Sequence, residues 1–291
     1  MIGALFTRNL RVFLRSRAAL AITVGGPVLF TALFLTCLGS PLADTAAATL
    51  PDGAGTSPWA IADGWSFATA AALSAFSSSI SFVALISRDR RRRRWGLYSL
   101  SPAKPWQILA GCLLAVALVV FAIGFITVVL SQAWAWAAAE PMMSPLDWLL
   151  ALAILLLMAA FFAGLTVFVA SFRWSQLAFG AYCLFGVVLL GFWSLTATWP
   201  SGAALPRFFA ILPFAEQAAA LRQAVTASAS GSLPESTARH LGIQLGFGDG
   251  PAWSTGIVAL LALIWALIAL IAAYLRTPHL VTPVKNEVQT L

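Results

Sequence analysis

The sequence predicts an all-α polytopic membrane protein. Its parts are six transmembrane helices, an N-terminal interfacial amphipathic helix, and re-entrant helices between the fifth and sixth spans. Three observations lead there. Sixty per cent of the 291 residues are hydrophobic and 9% are charged, against roughly 25% charged in a soluble domain, so most of the chain needs lipid as its solvent. Six apolar stretches each approach the roughly 20 residues that cross a bilayer. The basic residues fall in the connecting segments, nearly all on one side.

In order, residues 1–17 come first. Leu5, Phe6, Leu10, Phe13 and Leu14 alternate at helical spacing with Arg8, Arg11, Arg15 and Arg17, the pattern of a helix lying in the membrane interface. Apolar residues and arginines mix before any long apolar core, so this is not read as a cleavable signal peptide. The transmembrane domain covers 18–275, with spans at about 18–38, 65–87, 106–136, 146–171, 175–198 and 253–275. Gly25, Gly26 and Pro27 mark a kink or close-packing point in the first, because proline removes one helical hydrogen bond. The second is rich in serine, at Ser66, Ser74, Ser77, Ser78, Ser79 and Ser81; small hydroxyl residues let helices approach closely and bond across them. Helix packing is the favoured reading of these serines, a substrate-facing surface the sharper one.

Orientation follows from counting. With both termini inside, the inner segments hold 14 of the 17 basic residues, and the outer segments hold only Arg207, Arg222 and Arg239 with eight of the ten acidic residues. That asymmetry obeys the positive-inside rule. It makes 88–105 a cytoplasmic loop and 276–291 a short flexible cytoplasmic tail. Trp65, Trp106, Trp134, Trp136, Trp148, Trp174, Trp199 and Trp253 lie near span ends, as interfacial anchors do. The outer loop Gly39–Gly64 carries Asp44, Asp52 and Asp63 and no basic residue. The outer segment 199–252 is too long for a turn. Its first half, ALPRFFAILPFAEQAAALRQAV, is apolar, helix-forming and broken by Pro206 and Pro213, which suits two short helices dipping into the outer leaflet.

The densest charge is RDRRRRR, Arg88 to Arg94, with Arg90, Arg91, Arg92 and Arg93 between. Placed beside a membrane span, it reads as a topological lock and a contact for anionic lipid rather than a nucleic-acid patch, and no nucleic-acid partner is expected. Catalytic chemistry is sparse. The six apolar cores hold no ionisable residue, the two histidines His240 and His279 lie in connecting segments, and Cys37, Cys112 and Cys183 have no metal or disulfide spacing. No G-x-x-x-x-G-K-[ST] phosphate loop occurs, so ATP hydrolysis would need another chain. No catalytic, cofactor or metal residues are assigned, and an enzyme such as a membrane transferase is disfavoured.

Three local patterns carry a family likeness. They are RVFLRSRAALAITVGGPVLF, ISRDRRRRRWGLYSLSPAKPWQILAGCLL and ILPFAEQAAALRQAV. In this order and spacing, with six spans and no nucleotide site, the chain resembles type-2 ABC exporter permeases. In the second pattern Leu97, Leu100, Ser101, Pro102, Trp106 and Gly111 fit, whereas Cys112 stands where lysine is common and the arginine run replaces an acidic-rich segment. In the third, Pro213, Leu221 and Arg222 match the re-entrant segment.

The resemblance implies a transmembrane subunit without bound cofactor. Its expected partners are two copies of an ABC ATPase carrying ATP and Mg, and a second permease copy or a paralogous permease. It further implies coupling to the ATPase through Trp95, Leu97, Leu100, Pro102 and Trp106, and a bacterial plasma (inner) membrane location. The expected substrate is hydrophobic or amphipathic: a drug, antibiotic, lipid or lipid-linked glycan, with the drug- and antibiotic-exporting branch closest. Ser78, Phe185, Phe192 and Trp193 are candidate pathway residues, with lipid-facing or helix-packing roles weighed equally. The alternative reading is a membrane scaffold or assembly protein whose basic loop binds anionic lipid or a protein partner.

Overall fold

The computed structural model describes residues 2–50, 57–91, 104–172, 177–184, 215–230 and 255–281, and among them every regular element is helical. The elements are α1 (Ile2–Arg15), α2 (Arg17–Leu33), a π-helical turn (Phe34–Leu38), α3 (Gly39–Thr49), α4 (Pro58–Arg91), α5 (Pro105–Ala137) and α6 (Pro145–Ala170). They continue with α7 (177–184), α8 (Ala215–Ser230) and α9 (Thr255–Val281). Among the described residues, five helical stretches are long and apolar enough to cross a membrane: Arg17–Thr49, Pro58–Arg90, Pro105–Ala137, Pro145–Ala170 and Leu260–Thr277. The chain thus has the helices of a multi-pass membrane protein. Of the expected fifth span, 175–198, the described part is helical over 177–184; the remainder lies outside the described residues.

α4 is the centre of the bundle. Ala68, Ala71, Ala72, Ala75, Phe76 and Val83 are buried, and so are Ser66, Ser74, Ser77, Ser78, Ser79 and Ser81. A helix apolar or small on every side is one that is surrounded, and α2, α3, α5, α6 and α8 all pack on it. The serines stay inside because their hydroxyls find acceptors. Ser66, Ser74 and Ser78 donate to carbonyls four residues back, those of Ala62, Ala70 and Ser74. Ser81 reaches Ser77 O at 3.0 Å and accepts from Thr23 Oγ1 at 3.2 Å. Buried and bonded in this way, the serines let neighbouring helices approach α4 closely.

Without a hydrophobic drive between helices in lipid, close van der Waals approach holds them together, and glycines set the crossings. A Cβ on Gly26 of α2 would lie 3.1 Å from Ser77 Oγ; one on Gly124 of α5 would lie 2.7 Å from Leu155 Cδ2 of α6. At Gly164 of α6 it would meet the Ala269 backbone of α9 at 2.7 Å. α2 buries only Ala19, Thr23 and Pro27, one residue per turn, and turns Ile22, Val28, Leu29 and Leu33 outward.

The loop expected at Gly39–Gly64 is shorter than predicted. α3 occupies Gly39–Thr49 and α4 begins at Pro58, because Leu42, Ala43 and Ala46 pack on Ala60, Ile61 and Trp65. Trp65, expected as an interfacial anchor, is fully buried instead, set edge-on to Phe34 at 5.8 Å. The hairpin between α5 and α6 closes through Ser144, which caps α6. Asp147 N–H donates to Ser144 Oγ at 3.2 Å, and Ser144 N–H donates back to Asp147 Oδ2 at 3.1 Å, a reciprocal box with Pro145 at the first helical position. The last helix runs on to Val281, so the segment expected as a flexible tail from Arg276 starts as helix.

Charge is segregated along the bundle. One end gathers α1 with its arginines, the end of α4, the start of α5 and the ends of α6 and α9. The opposite end carries Asp63, Glu140 and Asp147, where Asp63 Oδ2 accepts from Trp134 Nε1 at 2.7 Å and so ties the start of α4 to the end of α5.

Candidate functional site

α1 is amphipathic, but the apolar stripe is satisfied by protein. Leu5 and Phe13 are buried, and the Phe13 ring stacks on Phe82 of α4 at 4.7 Å with 5° between planes. α1 crosses α5 at Gly111, where an added Cβ would stand 2.6 Å from Leu5 Cβ and 3.2 Å from Ile2 O. Only glycine lets the two backbones meet that closely. The polar edge is tied as well. Arg8 forms an ion pair with Asp89 near the end of α4, and Asn9 Nδ2 donates to Cys112 Sγ at 3.2 Å. Asp89 is buried, a position a carboxylate holds only when paired.

The same end is stitched to the far side of the bundle. Arg90 Nη1 donates to Phe172 O at 2.6 Å and to Ala170 O at 3.3 Å, meeting carbonyls at the C-terminus of α6 where a cation is favoured. The Arg276 guanidinium of α9 lies 4.6 Å from the Phe172 ring centroid, within cation–π range. The outward face of α1, with Gly3, Thr7, Arg11 and Arg15, remains open along a shallow groove of about 490 Å³. α1, α4, α5, α6 and α9 are therefore joined at their basic ends by specific contacts.

The expected site residues distribute as follows. Trp106 lies in the first turn of α5, exposed, next to a start where Lys104 N–H donates to Gln107 Oε1 at 3.2 Å. Arg88 is exposed, Arg90 half-buried as above, and Arg91 belongs to α4. Trp95, Leu97, Leu100, Pro102 and Arg92–Arg94 lie outside the described residues, as do Pro213, Phe185, Phe192 and Trp193. Ser78 is fully buried and bonded to its own helix.

Leu221 and Arg222 sit on α8, both fully buried. Arg222 was legible only as part of a motif, yet it is a core residue. Its guanidinium lies 4.3 Å from the Trp65 ring centroid and its Nε donates to Thr69 Oγ1 at 2.8 Å. Among the described residues, its Nη1 and both amide atoms of Gln217 have no hydrogen-bond partner.

A second buried polar group escaped sequence reasoning. Ser79 of α4 shares 2.6 Å hydrogen bonds with Thr166 of α6 and with the Tyr182 hydroxyl of α7. Spacing within one span cannot reveal a contact between three. This hydroxyl cluster ties three helices together, and among the described residues no group of three or more His, Cys, Asp or Glu could hold a metal. The arrangement can position helices and pass force between them. A scan of the chain against protein-family models found no match, and a search of curated proteins found none either.

Proposed function

We propose that this chain is the membrane-embedded permease subunit of an ATP-driven exporter of the type-2 ABC kind. Two copies of a separate ATPase, holding ATP and Mg, act on a pair of such permeases. The basic end and both termini face the cytoplasm of a bacterial cell, as the positive-inside rule requires, and the pair moves a hydrophobic or amphipathic substrate outward.

One observation carries the reading. The two helices flanking the segment 92–103 are the two that α1 clamps, through Arg8–Asp89 on α4 and Leu5–Gly111 on α5. A partner pressing on that segment therefore moves α1, α4 and α5 together, and α4 occupies the centre of the bundle. This is the mechanical arrangement that a permease powered from outside needs. The absence of a phosphate loop in the sequence agrees with it.

The test is co-purification with an ATPase encoded beside this chain. Replacing Trp95–Trp106 by a flexible linker should abolish both association and substrate-stimulated ATP turnover. Association that survives the replacement would overturn the coupling role, and a chain with no ATPase partner would favour a scaffold.

A further inference from the structure

We propose that the cleft between α6, α7 and α9 is a binding site for one anionic phospholipid from the leaflet at the basic end. The lipid's acyl chain would fill the cleft, with its phosphate at Arg276. The acyl cleft and Arg276 lie outside the 88–105 loop, although Arg90 of that loop's arginine run reaches Phe172 at the cleft's end, and the site does not depend on the exporter reading.

The cleft has a volume of about 970 Å³, and its walls are apolar. Tyr182 is the one lining residue with a hydroxyl, and that hydroxyl is engaged by Ser79 at 2.6 Å. Beyond that hydroxyl and the Trp265 indole N–H the lining is hydrocarbon, which selects an alkyl chain over a polar solute.

Length agrees. The wall on α6 runs from Phe172 at the basic end back to Phe161, about 16 Å at the helical rise. That is close to one leaflet, half of the roughly 30 Å hydrocarbon core.

Charge chooses the head group. The cleft ends at Phe172, whose ring carries the Arg276 guanidinium at 4.6 Å and whose carbonyl accepts from Arg90 at 2.6 Å. Arg276 lies one helical turn beyond Ala272, the last α9 residue lining the cleft. A guanidinium at the head-group level of an acyl-sized cleft suits a phosphate without a compensating amine, because its planar donors match phosphate oxygens.

The test uses the full chain in nanodiscs holding phosphatidylglycerol and phosphatidylcholine, each bearing a photoactivatable diazirine in the acyl chain. Phosphatidylglycerol should label peptides within 161–184 and 260–277 about fivefold more than phosphatidylcholine, the preference one surface arginine supplies. Arg276→Gln should remove that preference, and Arg276→Lys should keep it. Ala181→Trp, at an exposed cleft position, should lower labelling by both lipids. Equal labelling of wild type by the two lipids, or a preference that persists in Arg276→Gln, overturns the proposal. So does an Ala181→Trp variant that changes oligomeric state and not labelling, which would make the cleft a protein contact. Wild-type labelling decides the matter even if a variant fails to fold.

Discussion

The Arg222 guanidinium lies over the Trp65 ring, 4.3 Å from its centroid, and both side chains are fully buried. A buried cation is normally matched by a carboxylate, yet among the described residues Arg222 meets only the ring and the Thr69 hydroxyl. Among the described residues its Nη1 has no partner to offset its desolvation, and the two residues should separate on substitution. Trp65→Ala opens a cavity under Phe34 and Arg222 and should lower stability by about 3–5 kcal/mol. Arg222→Met, which keeps volume and removes the charge, should leave the thermal midpoint unchanged or raise it. Differential scanning fluorimetry in detergent distinguishes the two. A large loss for Arg222→Met would mean that the cation has a stabilising partner.

The α6–α9 crossing rests on Gly164. Gly164→Ala places a methyl against the Ala269 backbone, which cannot rotate away, so stability should fall by about 1–3 kcal/mol. Gly25→Ala in α2 is the matched control. Nothing lies within 4 Å of its added methyl, and exchanging glycine for alanine in a helix should gain about 0.5–1 kcal/mol. Thermal unfolding of the two variants side by side reads out opposite signs.

Docking of α1 can be followed through Cys112, which is buried beneath Asn9. Asp89→Asn breaks the ion pair with Arg8. Because Arg8 keeps partial access to water, the cost should be about 1–3 kcal/mol, short of a fully buried pair. Loosening α1 by that amount should speed maleimide labelling of Cys112 by about 5- to 150-fold if labelling follows opening. The reversed pair Arg8→Asp/Asp89→Arg should restore slow labelling.

Burial in the α5–α6 turn, with Asp63 adding to it, holds the Glu140 carboxyl above its ordinary value of 4.5. The folded state thus binds this proton more readily than the unfolded chain. Its contribution to stability falls as pH rises from about that ordinary value through the raised one, then stays low. Glu140→Gln should remove that decline and be neutral or slightly stabilising at pH 7. Unfolding midpoints of both proteins between pH 4 and pH 7 test this, and a destabilised Glu140→Gln would refute it.

Much of the scaffold was legible because lipid imposes simple rules. The spans at 106–136 and 146–171 differ by a residue or so from α5 and α6, since long apolar runs and a capping serine leave few alternatives. Reading stopped where distant residues decide. The sequence turns polar after Leu38, but α3 continues because Ala46 docks on Ile61 and Trp65, contacts absent from any local window. Trp65 opens the apolar run 65–87 and so looks like an anchor; a partner more than a hundred residues later makes it core. Arg222 on a modestly apolar helix likewise gave no sign that its charge is buried. Conversely, the stripe of α1 was visible in Leu5 and Phe13, while the surface that covers it, Gly111 and Phe82, was not.

The 34 residues of α4 amount to a rod of about 51 Å at the helical rise, some 20 Å longer than the hydrocarbon it crosses. Asp89 is near one tip and Trp65 is two turns from the other. A rod gripped at both tips works as a lever: tilting it by about 5° about one end carries the other through about 4 Å, by the same rise. A displacement at Arg8 and Asp89 would by this geometry reach the ring over which Arg222 sits, with no turn unwound.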